Sequence, residues 1–132
     1  MNFLIDTNIC SAYLKGDRNV WGKFLQYLGG SAISVITAGE LWTWVQRGNA
    51  SLGAKKTVME FIDSMDIIDV DLAVALEYGR LRGALLDAGA PMPDIDALLA
   101  ATALHFNLTL VTHNTADFSA VPNLRLADWM QL

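Results

Sequence analysis

PDIDALLAATALHFNLTLVTHNTAD, residues 93–117, carries a helix, a strand and an acid-bearing turn in one unbroken span. From Asp94 to about Phe106 the apolar residues recur at helical spacing, and Asp94, just after Pro93, reads as the helix cap. Asn107 breaks that pattern, Leu108 to Thr112 reads as a buried strand, and THNTAD follows as a turn. Ala97 to Ala116 has no formally charged side chain and approaches the length of a membrane span. The switch from helix to strand at Asn107, with two histidines and several threonines inside the stretch, argues instead for a buried helix followed by a buried strand.

The same alternation extends outward in both directions. Asn2 to Ile5 is a short apolar run, and in the DTN that follows Thr7 or Asn8 can cap a helix running to about Lys15. Gly16-Asp17 breaks it, and Val20 to Leu28 reads as a second helix closed by Gly29-Gly30. Ser31 to Ile36 is rich in β-branched residues and predicts a second strand. Thr37 then caps a helix with Glu40 in capping-box position, and this helix carries Leu41, Trp42, Trp44 and Val45. Trp42 and Trp44 are two apart, so they cannot share a helix face.

Ser51 opens a helix to about Met65, and Ile67 to Val70 predicts a third strand. Asp71 caps a long helix with an apolar stripe of Leu72, Ala75, Leu76, Gly79, Gly83 and Leu86. The break AGAPMP leads back to Asp94, and Asn123 to Leu126 reads as a short fifth strand at an edge. Strands alternating with helices imply a mostly parallel sheet of four or five strands with helices on both faces, an α/β fold in one domain spanning 1–132.

The chain has 132 residues, 53% of them apolar, with nine basic against fourteen acidic residues and a formal charge of −5. That balance argues against a protein that coats nucleic acid, which is ordinarily basic, but not against a nuclease with its acids gathered at one site. The single cysteine, Cys10, excludes an internal disulfide and a multi-cysteine zinc site, and reads as an inert buried thiol. MNFLID lacks a basic leader region, so no signal peptide and a cytoplasmic location are expected.

Four acids, Asp6, Glu40, Asp96 and Asp117, fall beside predicted strand ends or helix starts, and a parallel sheet brings such positions to one edge. Clustered carboxylates repel, and a hard divalent cation such as Mg²⁺ both neutralises them and prefers oxygen ligands. Each acid also has a plain structural reading: a helix cap for Asp6, the capping box for Glu40, the helix dipole for Asp96, and for Asp117 an Asx-turn made by Asn114 or by Asp117 itself. Their common placement raises the metal reading. His105 packs on its helix in this reading, whereas His113 lies near the cleft, within reach of a phosphate. No phosphate-binding glycine loop is present.

LIDTN at 4–8, SVITAGEL at 34–41, PDIDALLAATAL at 93–104, TLVTHNTADF at 109–118 and VPNLRLADW at 121–129 together resemble the PIN-domain ribonucleases, specifically VapC-type toxins. The resemblance spans nearly the whole chain. It implies an α/β/α sandwich and an Mg²⁺-dependent endoribonuclease, with Mn²⁺ a possible substitute. Asp6, Glu40 and Asp96 match the first three acids of the pattern and Asp117 the more variable fourth. Asp6 and Asp96 are the implied principal ligands, and Glu40 and Asp117 hold a second ion or its waters. Thr7, Asn8, Thr112 and Asn114 line the site, and Asp94 is an auxiliary acid. Position 113 is His where the pattern more often has Asn or Arg.

The resemblance also implies a cognate antitoxin, a homodimer partner, and an RNA substrate in which tRNA is favoured, cut to leave a 3′-hydroxyl and a 5′-phosphate. Lys15, Arg18, Lys23, Arg47, Lys55 and Lys56 all fall in the first half, and some of them are candidates to rim the cleft. Two rivals stand beside this reading. An aspartyl-phosphate phosphatase needs a second Asp at position 8, where Asn8 stands. An inactive binding module has no need of all four acids.

Overall fold

Leu4 and Ile5 are completely buried on opposite faces of the first strand, and that alternation divides the molecule into its layers. The computed structural model describes residues 1–27 and 29–131. Its elements in order are β1 (Phe3–Ile5), α1 (Thr7–Leu14), α2 (Arg18–Gln26), β2 (Ser31–Ser34), α3 (Val35–Gln46), α4 (Leu52–Ser64), β3 (Asp66–Ile68), α5 (Leu72–Asp87), α6 (Asp94–His105), β4 (Thr109–Val111), a 3-10 turn (Thr115–Phe118) and β5 (Leu126–Ala127). All strand pairs are parallel, in the order β3-β2-β1-β4-β5, with Phe3 opposite both Ser31 and Thr109.

On one face Leu4, Ala32 and Leu110 pack with Leu81, Leu85, Leu99 and Phe118, beneath α5 and α6. On the other, Ile5, Ile33 and Val111 pack with Ile9, Val20, Leu41, Val58 and Phe61, beneath α1 to α4. The expected three-layer α/β/α sandwich is what forms. The buried face of α6 carries Ala97, Ala100, Ala101 and Ala103, which add almost no side-chain bulk.

Several local expectations are corrected. β2 stops at Ser34, whose hydroxyl accepts from Ile36 N–H at 3.1 Å and caps α3, so Val35 and Ile36 are helical. Thr37 is therefore inside α3, buried with its Oγ1 unpartnered, and caps nothing. The capping box dissolves and Glu40 is released from it. α1 is capped by Asp6, not by Thr7 or Asn8. α2 begins at Arg18 under an Asp17 cap and ends at Gln26; the expected end at Leu28 lies outside the described residues.

β3 is shifted to Asp66–Ile68, and the edge strand β5 is Leu126–Ala127. α6 starts with Asp94 as its first helical residue after Pro93, without a side-chain cap. On α5 the face turned inward is Val74, Leu81 and Leu85, while the stripe through Leu72, Leu76 and Leu86 is exposed. The helix has two apolar stripes, and the sheet accepts only one. Trp42 packs against the core and Trp44 stays exposed with Lys15 Nζ 5.9 Å from its ring, so the two tryptophans do part company.

Strands β1, β2 and β3 proceed in one direction across the sheet and β4 and β5 in the other. The order reverses between β1 and β4, and in open parallel sheets the crevice for ligands lies beyond the carboxyl ends of the strands at that reversal. Asp6 is the first residue past β1 and Thr112 the first past β4.

Candidate active site

Asp6 is bound into the crevice by both of its oxygens. Its Oδ1 accepts from Thr7 N–H at 2.7 Å, and its Oδ2 accepts from the Thr112 hydroxyl at 2.9 Å across the β1–β4 gap. Only 8% of the residue is exposed. Burial pushes the Asp6 carboxyl above its ordinary value and the Glu40 charge adds to that, against the two hydrogen bonds, which favour the anion.

Thr112 is the hub of a small network. Fully buried, it donates to Asp6 and receives Asn8 Nδ2 at 3.3 Å and Asn114 N–H at 3.2 Å. Asn8 uses its other amide atom as well, accepting from His113 N–H at 3.1 Å. The first turn of α1 and the loop after β4 are thereby joined. Both amide atoms of Asn8 hold that loop.

Glu40 comes in from α3, where Thr7 Oγ1 donates to its Oε1 at 2.6 Å. Asp96 sits in the first turn of α6. Burial raises its pKa first, and the charges of Asp6, Asp117 and Glu40 raise it further, in that order. Asp96 thus senses all three of the other acids. Asp117, in the 3-10 turn, is exposed, and its turn has no side-chain cap from Asn114, so the Asx-turn reading does not apply. Asp94 points elsewhere: its Oδ1 accepts from Tyr78 Oη at 3.1 Å and lies 3.8 Å from Arg82 Nε, so it joins α6 to α5.

Among the described residues no three His, Cys, Asp or Glu side chains stand as a group that would hold a metal ion. The donor set nevertheless fits a hard cation. Two of the four carboxyls are held above their ordinary pKa by burial first and then by neighbouring carboxylates, Asp6 by Glu40 and Asp96 by Asp6, Asp117 and Glu40, and such crowding of negative charge is the condition a divalent ion relieves. Mg²⁺ ordinarily uses one or two carboxylates and keeps several waters, so a cage of three is not required.

One carboxylate of this region is absent from the quartet read in sequence. Asp128, the first residue past β5, lies with Oδ2 3.0 Å from His113 Nδ1. The expected edge strand ended at Leu126, so Asp128 did not stand at a strand end in sequence; β5 runs through Ala127 and puts it there. His105, by contrast, meets Phe106 edge-on, at 4.8 Å between ring centres.

The family model for the PIN domain matches residues 3–124. The chain belongs to the PIN-domain family. This PIN domain is 31% identical over 130 residues to the tRNA(fMet)-specific endonuclease VapC of Shigella flexneri, covering 98% of each chain. It is also 31% identical over 132 residues to ribonuclease VapC2 of Rickettsia felis, again over 98% of each. Among solved structures it superposes on VapBC2 of Rickettsia felis bound to a promoter DNA fragment with a TM-score of 0.89, at 30% identity over 98% of this chain and 99% of that one. DNA-bound VapBC of Salmonella typhimurium gives a TM-score of 0.92 at 28% identity, over 98% of each chain. The sandwich and the parallel sheet of this PIN domain are those of the VapC toxins. No helix among the described residues is long and apolar enough to cross a membrane.

Proposed function

We propose that this PIN domain, comprising the whole of 1–132, is the toxin of a toxin–antitoxin pair: a cytoplasmic, Mg²⁺-dependent endoribonuclease that cleaves tRNA, in the first instance initiator tRNA, and so arrests translation. The observation that carries the chemistry is Asp96, whose carboxyl is perturbed by Asp6, Asp117 and Glu40 at the crevice where the strand order reverses. The names of the Shigella and Rickettsia relatives support the substrate class.

In this reading Asp6 and Asp96 hold the principal Mg²⁺ (Mn²⁺ substituting), and Glu40 and Asp117 hold a second ion or ordered waters. A bound divalent ion supplies an activated water and neutralises charge on the phosphoryl oxygens. The protein's own part is positioning. Thr112 and Thr7 fix the Asp6 carboxylate, Thr7 also fixes Glu40, and Asn8 locks the loop carrying Thr112, His113 and Asn114 against α1. Four carboxylates left uncompensated would repel a phosphodiester, so substrate binding and metal binding are coupled by the same charges.

A cognate antitoxin is the proposed partner, supported by the toxin–antitoxin complexes among the neighbours. A homodimer is proposed as well, and the exposed apolar stripe Leu72, Leu76 and Leu86 on α5 offers it a surface. A separate cavity of about 240 Å³, lined by Tyr13, Trp21, Phe24, Tyr27 and Phe61, lies toward the N-terminal ends of β2 and β3, away from the acids. It is the wrong end of the sheet for catalysis and suits an apolar side chain of a protein partner.

The test is cleavage of purified initiator tRNA with Mg²⁺ and with EDTA, by wild type and Asp96→Ala. The proposal expects cutting only by wild type with Mg²⁺, leaving a 3′-hydroxyl and a 5′-phosphate. Equal cutting by Asp96→Ala rules it out.

A further inference from the structure

We propose that His113, oriented by Asp128, contacts the ribose–phosphate backbone of a nucleotide flanking the scissile bond; this rests on the ribonuclease reading above. His113 directly follows Thr112, and its backbone N–H is already tied to Asn8. Its side chain is 50% exposed, yet Nδ1 is held 3.0 Å from an Asp128 carboxylate that is only 5% exposed. The other Asp128 oxygen accepts from Met130 N–H at 2.9 Å, so the carboxylate itself cannot swing. β4 and β5 deliver the two residues together, pairing Val111 with Ala127 so that Thr112 and Asp128 follow in step.

An ionised carboxylate only accepts hydrogen bonds, so the ring proton it faces is on Nδ1 and Nε2 is the free nitrogen. As a stabilising contact the pair contributes little, because an ion pair with a half-exposed partner is screened by water. Fixing the tautomer and direction of an otherwise solvent-facing ring is what a ligand contact requires.

Location selects the ligand. The ring lies between the ends of β4 and β5, one strand outward from the reversal point, and a strand spacing of ~4.8 Å places it on the order of 5–10 Å from the Asp6 carboxylate. That is the reach of the nucleotide next to a phosphodiester held at the acids. Nε2 of the neutral ring accepts from a 2′-hydroxyl, and Nε2 of the protonated ring donates to a phosphate oxygen; both belong to the backbone. On a chain of net charge −5, this supplies an RNA anchor beside four carboxylates without a permanent cation among them.

Steady-state cleavage of initiator tRNA in Mg²⁺ by wild type, His113→Ala, Asp128→Asn and the double variant is the test. His113→Ala raises KM about tenfold, the size of one hydrogen bond to a charged group, with kcat within about twofold and an unchanged melting temperature. Asp128→Asn shifts KM the same way, and the double variant is no worse than His113→Ala, because Asp128 acts through the ring. A 2′-deoxy nucleotide beside the cleaved bond closes the gap between wild type and His113→Ala if the partner is the hydroxyl, and leaves it if the partner is the phosphate. A wild-type KM in His113→Ala overturns the proposal, as does a loss confined to kcat. Failure of wild type itself to cleave the tRNA removes the ribonuclease reading, and this contact with it.

Discussion

Thr112→Val is the sharpest perturbation of this site, because it deletes one hydroxyl and almost no volume. The side chain is fully buried, and its hydroxyl donates to Asp6 while receiving Asn8 Nδ2 and Asn114 N–H. Loss of the donation to an ionised carboxylate that is only 8% exposed costs about 1.5–3 kcal/mol. Asn8 and Asn114 are not fully buried and re-bond to water, so each adds no more than about 0.5 kcal/mol. The expected loss is roughly 2–4 kcal/mol, or about 6–15 °C in Tm for a domain of this size. Urea and thermal unfolding in EDTA measure it.

The loss carries a pH signature. The Asp6 pKa is already above its ordinary value in the fold, and Thr112 is the strongest influence holding it down. In wild type, Asp6 therefore subtracts stability as pH rises from the ordinary carboxylate value through its raised folded value, and the deficit is full above that. In Thr112→Val the folded value rises further, so the gap between variant and wild type widens with increasing pH across that window. Below about pH 3.9, with Asp6 protonated in both states, only the neutral part of the cost, about 1 kcal/mol, remains. Mg²⁺ affinity should fall about 10- to 100-fold, as when other metal ligands lose their supporting hydrogen bond. A pH-independent loss, or one below about 1 kcal/mol, would refute the role given to Thr112.

Two further outcomes follow from the same geometry. Asp96→Asn removes a charge that Asp6, Asp117 and Glu40 all oppose, so the metal-free protein should gain roughly 0.5–1 kcal/mol at neutral pH, the scale of one partly exposed charge contact. Because the folded pKa of Asp96 is raised, that gain should vanish as pH falls to the ordinary carboxylate value; thermal melts in EDTA across pH read it, and a destabilised variant at pH 7 speaks against the repulsion. Cys10 is fully buried, and burial together with the Asp6 charge pushes its thiol pKa far up, so the native protein should resist alkylation that its urea-unfolded form accepts at once. Rapid labelling of the folded chain would contradict the packing of α1 on the sheet.

The parts legible in sequence were those with strong local signals. β1 ends where its apolar run meets Asp6, and α6 and β4 part at Asn107, whose positive φ of 55° terminates the helix. The misread parts were decided by competition that only the fold resolves. Ser34-Val35-Ile36 reads as strand by propensity, yet the Ser34 hydroxyl turns the chain into α3 three residues early, and this frees Glu40 from a cap that its spacing suggested. α5 carries two apolar stripes, and nothing local says which one meets the sheet. Asp94 and Asp96 stand two residues apart, and only the packing of α6 on α5 sends the first to Tyr78 and leaves the second facing the acids. Asp128 went unnoticed because its partner His113 is fifteen residues away, brought beside it by the register of β4 and β5.

The central claim is that the carboxylates beyond β1 and at the start of α6 hold a divalent ion on which RNA cleavage depends. Anomalous diffraction from crystals soaked in Mn²⁺ tests it most directly. The account predicts a peak about 2.0–2.3 Å from carboxylate oxygens of both Asp6 and Asp96, absent in crystals of Asp96→Asn. No ordered Mn²⁺ at these residues, or a peak that survives in Asp96→Asn, would contradict it.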